Sequence, residues 1–313
     1  MQKGKNMRRI LAIGLIVACM AGAAQAGGLP PIREVVSFGD SLSDCGAFGF
    51  KPTTAPSLTW NQRVARHYGY DLGPNWIGNP SGVAESHPGG LCYAQGGART
   101  AAAGPGGMPL SGTVQLDRFL AGHGHFTDDQ LVTVYLGTND VLINFFTMNK
   151  ALGAGDPKAV GAARAVVEQA ARDLTSLVQR MLDNGAKRVA VLDLYDLGET
   201  GFIDSNPILT GLADDFNATL AKSLPRDRRI VPVDTRAFFN ALSANPKTYG
   251  FTHPMNDDAC ETPRVLGPDC YASSAKWKSP DADQTYMLVG MVHFTAKTEQ
   301  LLADYVLRRV GRR

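Results

Sequence analysis

The sequence predicts a three-layer α/β/α fold, a parallel central sheet covered by helices. Two observations predict it. Short apolar runs alternate with longer helix-patterned stretches, the order of strands joined by crossover helices. Polar clusters also follow two of those runs directly, where open parallel sheets bind their ligands. The composition agrees: 44% hydrophobic and 19% charged residues suit a globular chain and exclude bulk disorder.

Residues 1–26 read as a signal peptide rather than structure. Lys3, Lys5, Arg8 and Arg9 form a positive start, "ILAIGLIVACMAGAA" an apolar middle, and "AQA" at 24–26 a small-x-small cleavage site. The apolar run is short for a membrane span, so no transmembrane anchor is expected in the mature chain. A lipoprotein anchored through Cys19 is the alternative, since "IVAC" resembles a lipobox. The expected product is a single domain over 27–313, secreted or periplasmic. The leader holds four of the 31 basic residues, so the mature chain has 27 against 29 acidic ones, a net charge of −2 with neutral histidines. That balance offers no footprint for nucleic acid. Nothing in the sequence points to an oligomeric state.

The predicted strands are 33–38 "REVVSF", 131–136 "LVTVYL", 188–194 "RVAVLDL" and 229–233 "RIVPV", with a weaker one near 70–76. Helices are predicted at 59–68, 113–121, 157–184, 206–223, 235–243 and 295–309. The longest opens on Asp156-Pro157 and closes on Asn184-Gly185, good start and stop signals. Two stretches read as long loops. One is the glycine-rich 96–112. The other is 245–290, rich in Pro, Asp and aromatics and placed to overhang a site at its C-terminal end.

Four cysteines remain after the leader: Cys45, Cys92, Cys260 and Cys270. An even number in an exported chain favours two disulfides. Cys260 and Cys270 enclose a short loop and are expected to pair, leaving Cys45 with Cys92. No CxxC or nearby histidine spacing supports zinc, so no metal is expected.

Chemistry concentrates in four blocks. "FGDSLSD" at 38–44 puts Ser41 just past a strand, where a side chain and backbone N–H groups face the same space. A serine there also serves as a plain helix N-cap, so the other blocks decide. "YAQGGART" at 93–100 offers glycine N–H groups, "GTND" at 137–140 an asparagine amide, and "HFT" at 293–295 an imidazole. Their order and spacing resemble the GDSL lipase/esterase family, the SGNH hydrolases, from about residue 34 to 309. The resemblance implies a flavodoxin-like α/β/α fold. It makes Ser41 the nucleophile and His293 the general base. Ser41, Gly97 (with Gly96 its neighbour) and Asn139 become the oxyanion hole. It implies hydrolysis of carboxylic esters, lipid or short-to-medium acyl, and no cofactor. Phospholipase or acyltransferase activity, carbohydrate O-acetyl esterase activity, and a catalytically dead binding protein are the alternatives.

One block departs from the family. Its usual ending is Asp-x-x-His-Pro; here it is Gly290-Met291-Val292-His293-Phe294. Four readings stand: Asp281 or Asp283 folds back onto His293; a backbone carbonyl holds the ring; a chloride ion fills the gap, as in the secreted haemolysin-like phospholipase branch that this sequence is similar to; or the site is crippled. Asp40, Asp44 and Asp140 are expected to bond turn amides. His123 and His125 read as exposed loop, and His67, His87 and His253 have no partner in the pattern. Trp60, Trp76 and Trp277 read as packing residues.

Overall fold

The computed structural model describes residues 29–78, 84–202, 205–261 and 268–311. The leader, with Cys19, lies outside them. The chain order is β1 (Glu34–Gly39), α1 (Trp60–His67), α2 (Gly112–His123), β2 (Gln130–Tyr135), α3 (Thr138–Gly153), α4 (Ala159–Asp183), β3 (Val189–Leu192), α5 (Pro207–Ser223), β4 (Ile230–Val233) and α6 (Thr235–Ala244). Then come two short turns of helix, α7 (Pro268–Ala272) and α8 (Ala282–Thr285), the two-residue strands β5 (Leu288–Val289) and β6 (His293–Phe294), and α9 (Ala296–Val310). The four main strands pair in parallel in the order β1-β2-β3-β4. They are nearly all buried, which is why they read as continuous apolar runs and not as alternating ones. Val35, Val36 and Phe38 of β1, Leu131, Val132 and Val134 of β2, and Trp60 of α1 are fully excluded from solvent.

A segment absent from the predicted strands matters most for the site. Residues 91–95 run along the free side of β1: Ser37 N–H donates to Leu91 O (3.0 Å), Tyr93 N–H to Ser37 O (2.8 Å) and Gln95 N–H to Gly39 O (3.1 Å). From β1 the chain therefore goes first to one flank and then, through α2, to β2 on the other. β1 is the topological switch point, where connections diverge and a crevice opens at the C-terminal edge. The weak strand expected at 70–76 is only a single bridge, Pro74 to Cys92. The sequence reading also missed α3. Its "TNDVLINFFTMNKALG" carries apolar residues on nearly every face and gives little helical periodicity.

Both expected disulfides are present, Cys45–Cys92 and Cys260–Cys270. The first ties the turn after β1 to the 91–95 segment beside it.

Candidate active site

β1 ends at Gly39. The side chain of Gln115 on α2 completes its edge, accepting from Gly39 N–H (2.9 Å) and donating to Gly39 O (2.9 Å). Asp40 follows, fully buried, and its Oδ1 accepts from Leu42 N–H (2.9 Å), which caps a single 3-10 turn at Ser41–Ser43. Trp60 of α1 donates its indole N–H to Leu42 O (3.0 Å) and fixes that turn from behind. Ser41 is left half-buried at the strand end, and no hydrogen bond within the described residues takes its own N–H.

The glycine loop after 91–95 is held by Asp44, whose Oδ2 accepts from Gly96 N–H (2.8 Å) while Oδ1 accepts from Gly46 and Ala47 N–H (2.8 and 2.7 Å). This separates the two candidate glycines. The Gly96 donor is committed; that of Gly97, with φ +82°, is not, among the described residues. After β2, Gly137 turns the chain at φ +119° into α3, and a Cβ there would lie 2.4 Å from the Phe216 ring. The turn delivers Asn139, whose amide donates once to Ala98 O (3.0 Å) and keeps its second N–H. Asp140 Oδ2 accepts from Thr100 N–H (2.9 Å) and hydroxyl (3.1 Å). All three acids thus bond turn or loop amides, as expected. Burial outweighs those bonds and pushes the Asp40 carboxyl up to about 7, helped by the charge of Asp140, and Asp44 and Asp140 each to about 6.

His293 arrives on the β5–β6 hairpin, with Val289 opposite it. Gly290 (φ +58°) and Met291 (φ +74°) are both left-handed, an unusual state for methionine. Asp258 pins the hairpin by accepting from the N–H groups of Gly290 (3.2 Å) and Met291. Fully buried Tyr195 donates its hydroxyl to Val292 O (2.6 Å). His293 is only 6% exposed. Burial lowers its pKa to about 4, against the pull of the Gly290 carbonyl in the other direction, so the imidazole is neutral at neutral pH. Its Nε2 has no partner among the described residues.

Ser41, Gly97, Asn139 and His293 line one cavity of about 300 Å³. Its remaining wall is largely apolar, with Phe48, Phe50, Leu142 and Phe202.

Neither aspartate offered as a partner for the ring reaches it. Asp281 Oδ1 accepts from the Ser279 hydroxyl (2.7 Å) and Asp283 Oδ2 from Gln284 (2.8 Å), both at the exposed surface. They belong to the start of α8, well before the hairpin that carries the ring. His293 Nδ1 is bonded by the Tyr271 hydroxyl at 2.8 Å, and the Gly290 carbonyl also acts on the ring, so the backbone-carbonyl reading keeps a contact here beside the tyrosine. Nor do the residues beside Gly290 fit a chloride ion. A Cβ built there would lie 2.4 Å from the Tyr271 hydroxyl and 2.8 Å from two of its ring carbons, so the gap left by the missing acid is already filled. Sequence reasoning missed Tyr271 and Asp258. Neither sits in a recognisable motif, and the only pointer was the aromatic-rich loop expected to overhang the site. His253, for which no partner was expected, bonds Asp257 (2.9 Å) and stacks on Tyr286. Among the described residues no group of three or more His, Cys, Asp or Glu could hold a metal ion, and no helix is long and apolar enough to cross a membrane.

The profile of the GDSL-like lipase/acylhydrolase family matches residues 35–306. The chain belongs to this family. A curated relative, the "Uncharacterized protein in trpE-trpG intergenic region" of Pseudomonas putida, is 28% identical over 335 aligned positions, covering 97% of this chain and 52% of that protein. The chain thus spans about half the length of this relative. Among solved structures, the lipase Lip_vut3 from a goat rumen metagenome superposes with a TM-score of 0.50 at 16% identity, over 89% of this chain and 97% of that one. The acetylxylan esterase Axe2 of Geobacillus stearothermophilus, in the form of a catalytic mutant, gives 0.45 at 13% identity, over 91% and 97%. The first likeness supports the fold: a parallel four-stranded sheet in an α/β GDSL hydrolase.

Proposed function

We propose that this GDSL hydrolase is a secreted serine esterase that cleaves carboxylic esters of lipids or of short-to-medium acyl chains through an acyl-enzyme on Ser41. One observation carries the reading: a single apolar-walled cavity is lined by Ser41, Gly97, Asn139 and His293, and among the described residues the N–H groups of Ser41 and Gly97 and one N–H of the Asn139 amide are uncommitted. Neutral His293 takes the Ser41 proton on Nε2 as Oγ attacks the ester carbonyl. The carbonyl oxygen, now anionic, accepts from the N–H groups of Ser41 and Gly97 and from the Asn139 amide. His293 returns the proton to the departing alcohol. Water then repeats the sequence in reverse and frees the acid. No cofactor enters these steps. The phenyl and leucine walls favour an acyl chain over a sugar. Two disulfides suit an oxidising compartment and support export.

A series of p-nitrophenyl esters of increasing acyl length tests the reading. Hydrolysis that is lost in Ser41→Ala is expected. Acyl transfer to an added alcohol in preference to water would shift the assignment to an acyltransferase. No turnover of any ester would favour a binding protein.

A further inference from the structure

We propose that Tyr271 is the positioning residue of His293, occupying the place of the acid that the hairpin lacks; the inference rests on the esterase reading above. Three independent features meet at this contact. The first is the bond itself: the buried Tyr271 hydroxyl lies 2.8 Å from Nδ1, with the rings edge to face at 84°. A general base must present a lone pair on Nε2, so its proton sits on Nδ1 and is donated to the phenol oxygen.

The second is space. Gly290 is three residues before His293, and any side chain there would run into the Tyr271 hydroxyl at 2.4 Å. Glycine at 290 and tyrosine at 271 are therefore one arrangement, since a tyrosine so placed leaves room for nothing larger. The third is support. Tyr271 stacks on Phe50 at 11° between ring planes, and its carbonyl accepts from Ala55 N–H (2.8 Å). It directly follows Cys270, which is bridged to Cys260, and Cys260 Sγ lies 3.3 Å from Gly290 N. The disulfide thus joins the tyrosine and the histidine hairpin into one unit.

Among the described residues no carboxylate bonds the ring. Asp258 is nearby, but its oxygens are taken by the N–H groups of Cys260, Gly290 and Met291. Asp44, across the cavity, is bonded to the glycine loop. Tyr195, packed against Phe294, donates to Val292 O. Among the described residues the influences on the His293 titration are burial, which lowers it, and the Gly290 carbonyl, which raises it. A neutral phenol steadies an imidazolium less than a carboxylate does, but it fixes the tautomer and the ring plane.

Tyr271→Phe keeps the ring and removes the bond. It is expected to lower kcat by roughly ten- to a hundredfold, the rate equivalent of one charge-assisted hydrogen bond, with little change in KM. Loss of the acceptor also disfavours the imidazolium, so the acid limb of kcat/KM should move to lower pH, which a merely structural role would not produce. NMR titration of the His293 ring reads the same shift without substrate. Gly290→Asp alone should be inactive from overlap, whereas Gly290→Asp with Tyr271→Ala should exceed Tyr271→Ala alone, because the acid then has room. Exchanging chloride for nitrate at fixed ionic strength should leave the wild-type rate unchanged. Wild-type kcat and an unshifted His293 titration in Tyr271→Phe would overturn the inference, as would halide dependence. Persistence of hydrolysis in Ser41→Ala would instead overturn the Ser41 acyl-enzyme on which this inference rests, and the NMR titration would still decide the Tyr271–His293 bond.

Discussion

Burial sets the acid–base character of this site residue by residue. With the His293 pKa near 4, the ring is unprotonated through the whole neutral range, as the proposed base must be. Activity in wild-type protein should therefore hold well below pH 6 and fall with a limb near 4. A limb at the unperturbed histidine value would contradict the burial argument. Asn139→Ala, which removes one proposed oxyanion donor, should lower kcat about a hundred- to a thousandfold with the fold intact, read from initial rates. Asp40 bears on stability in the opposite sense to His293. Its folded pKa, about 7, lies above the unfolded value of 3.8, so the folded state holds the extra proton between them. The stabilising contribution is full below about pH 4 and disappears as pH rises through 7. His293 has its folded pKa depressed, so its contribution is full above the unfolded value of 6.5 and is lost as pH falls towards 4. Asp40→Asn keeps the acceptor for Leu42 N–H and cannot ionise. Thermal unfolding of this variant at pH 5 and 8 should show a smaller loss relative to wild type at the higher pH; an equal loss would contradict the assignment to Asp40.

The site is assembled where elements end. Gln115 lends α2 to the edge of β1 through paired bonds to Gly39, one residue before Asp40 and two before Ser41. Gln115→Met keeps the volume but leaves Gly39 N–H buried without a partner. It should cost about 1–3 kcal/mol in urea unfolding, with some loss of kcat as the turn loosens. An unchanged urea midpoint would show that the strand edge does not depend on this side chain. Elements of this kind also mark what the sequence could convey. Val35-Val36, Leu131–Val134 and Val189–Leu192 are dense β-branched and apolar runs, and their strands were legible. Helix α3 was not, because "VLINFF" is apolar without a stripe. The 91–95 segment was not, because "LCYAQ" is short and becomes strand-like only by pairing with β1. The β5–β6 hairpin has two residues per strand and depends on Asp258, some thirty residues upstream.

Across the whole molecule, the two disulfides bind the parts of the site that sequence separates. Cys45–Cys92 closes 47 residues and braces the Ser41 turn against the glycine loop; replacing both cysteines by alanine should cost about 2–4 kcal/mol. Peptide mass mapping should find both bridges, and free thiols would contradict them. The four blocks that meet at the cavity were legible because each falls within one short motif. The partner of the histidine was not, since Tyr271 reaches it from a stapled loop and only the closeness of its ring to Gly290 reveals the relation. The central claim, that Ser41 is the nucleophile of an ester hydrolase, is tested most directly by a fluorophosphonate probe. The probe is applied to wild type and Ser41→Ala in parallel with ester hydrolysis, and the adduct is located by peptide mass. A single adduct on Ser41 is predicted, with both adduct and hydrolysis absent in the variant. An adduct on another serine, or hydrolysis at the wild-type rate in Ser41→Ala, would contradict the claim.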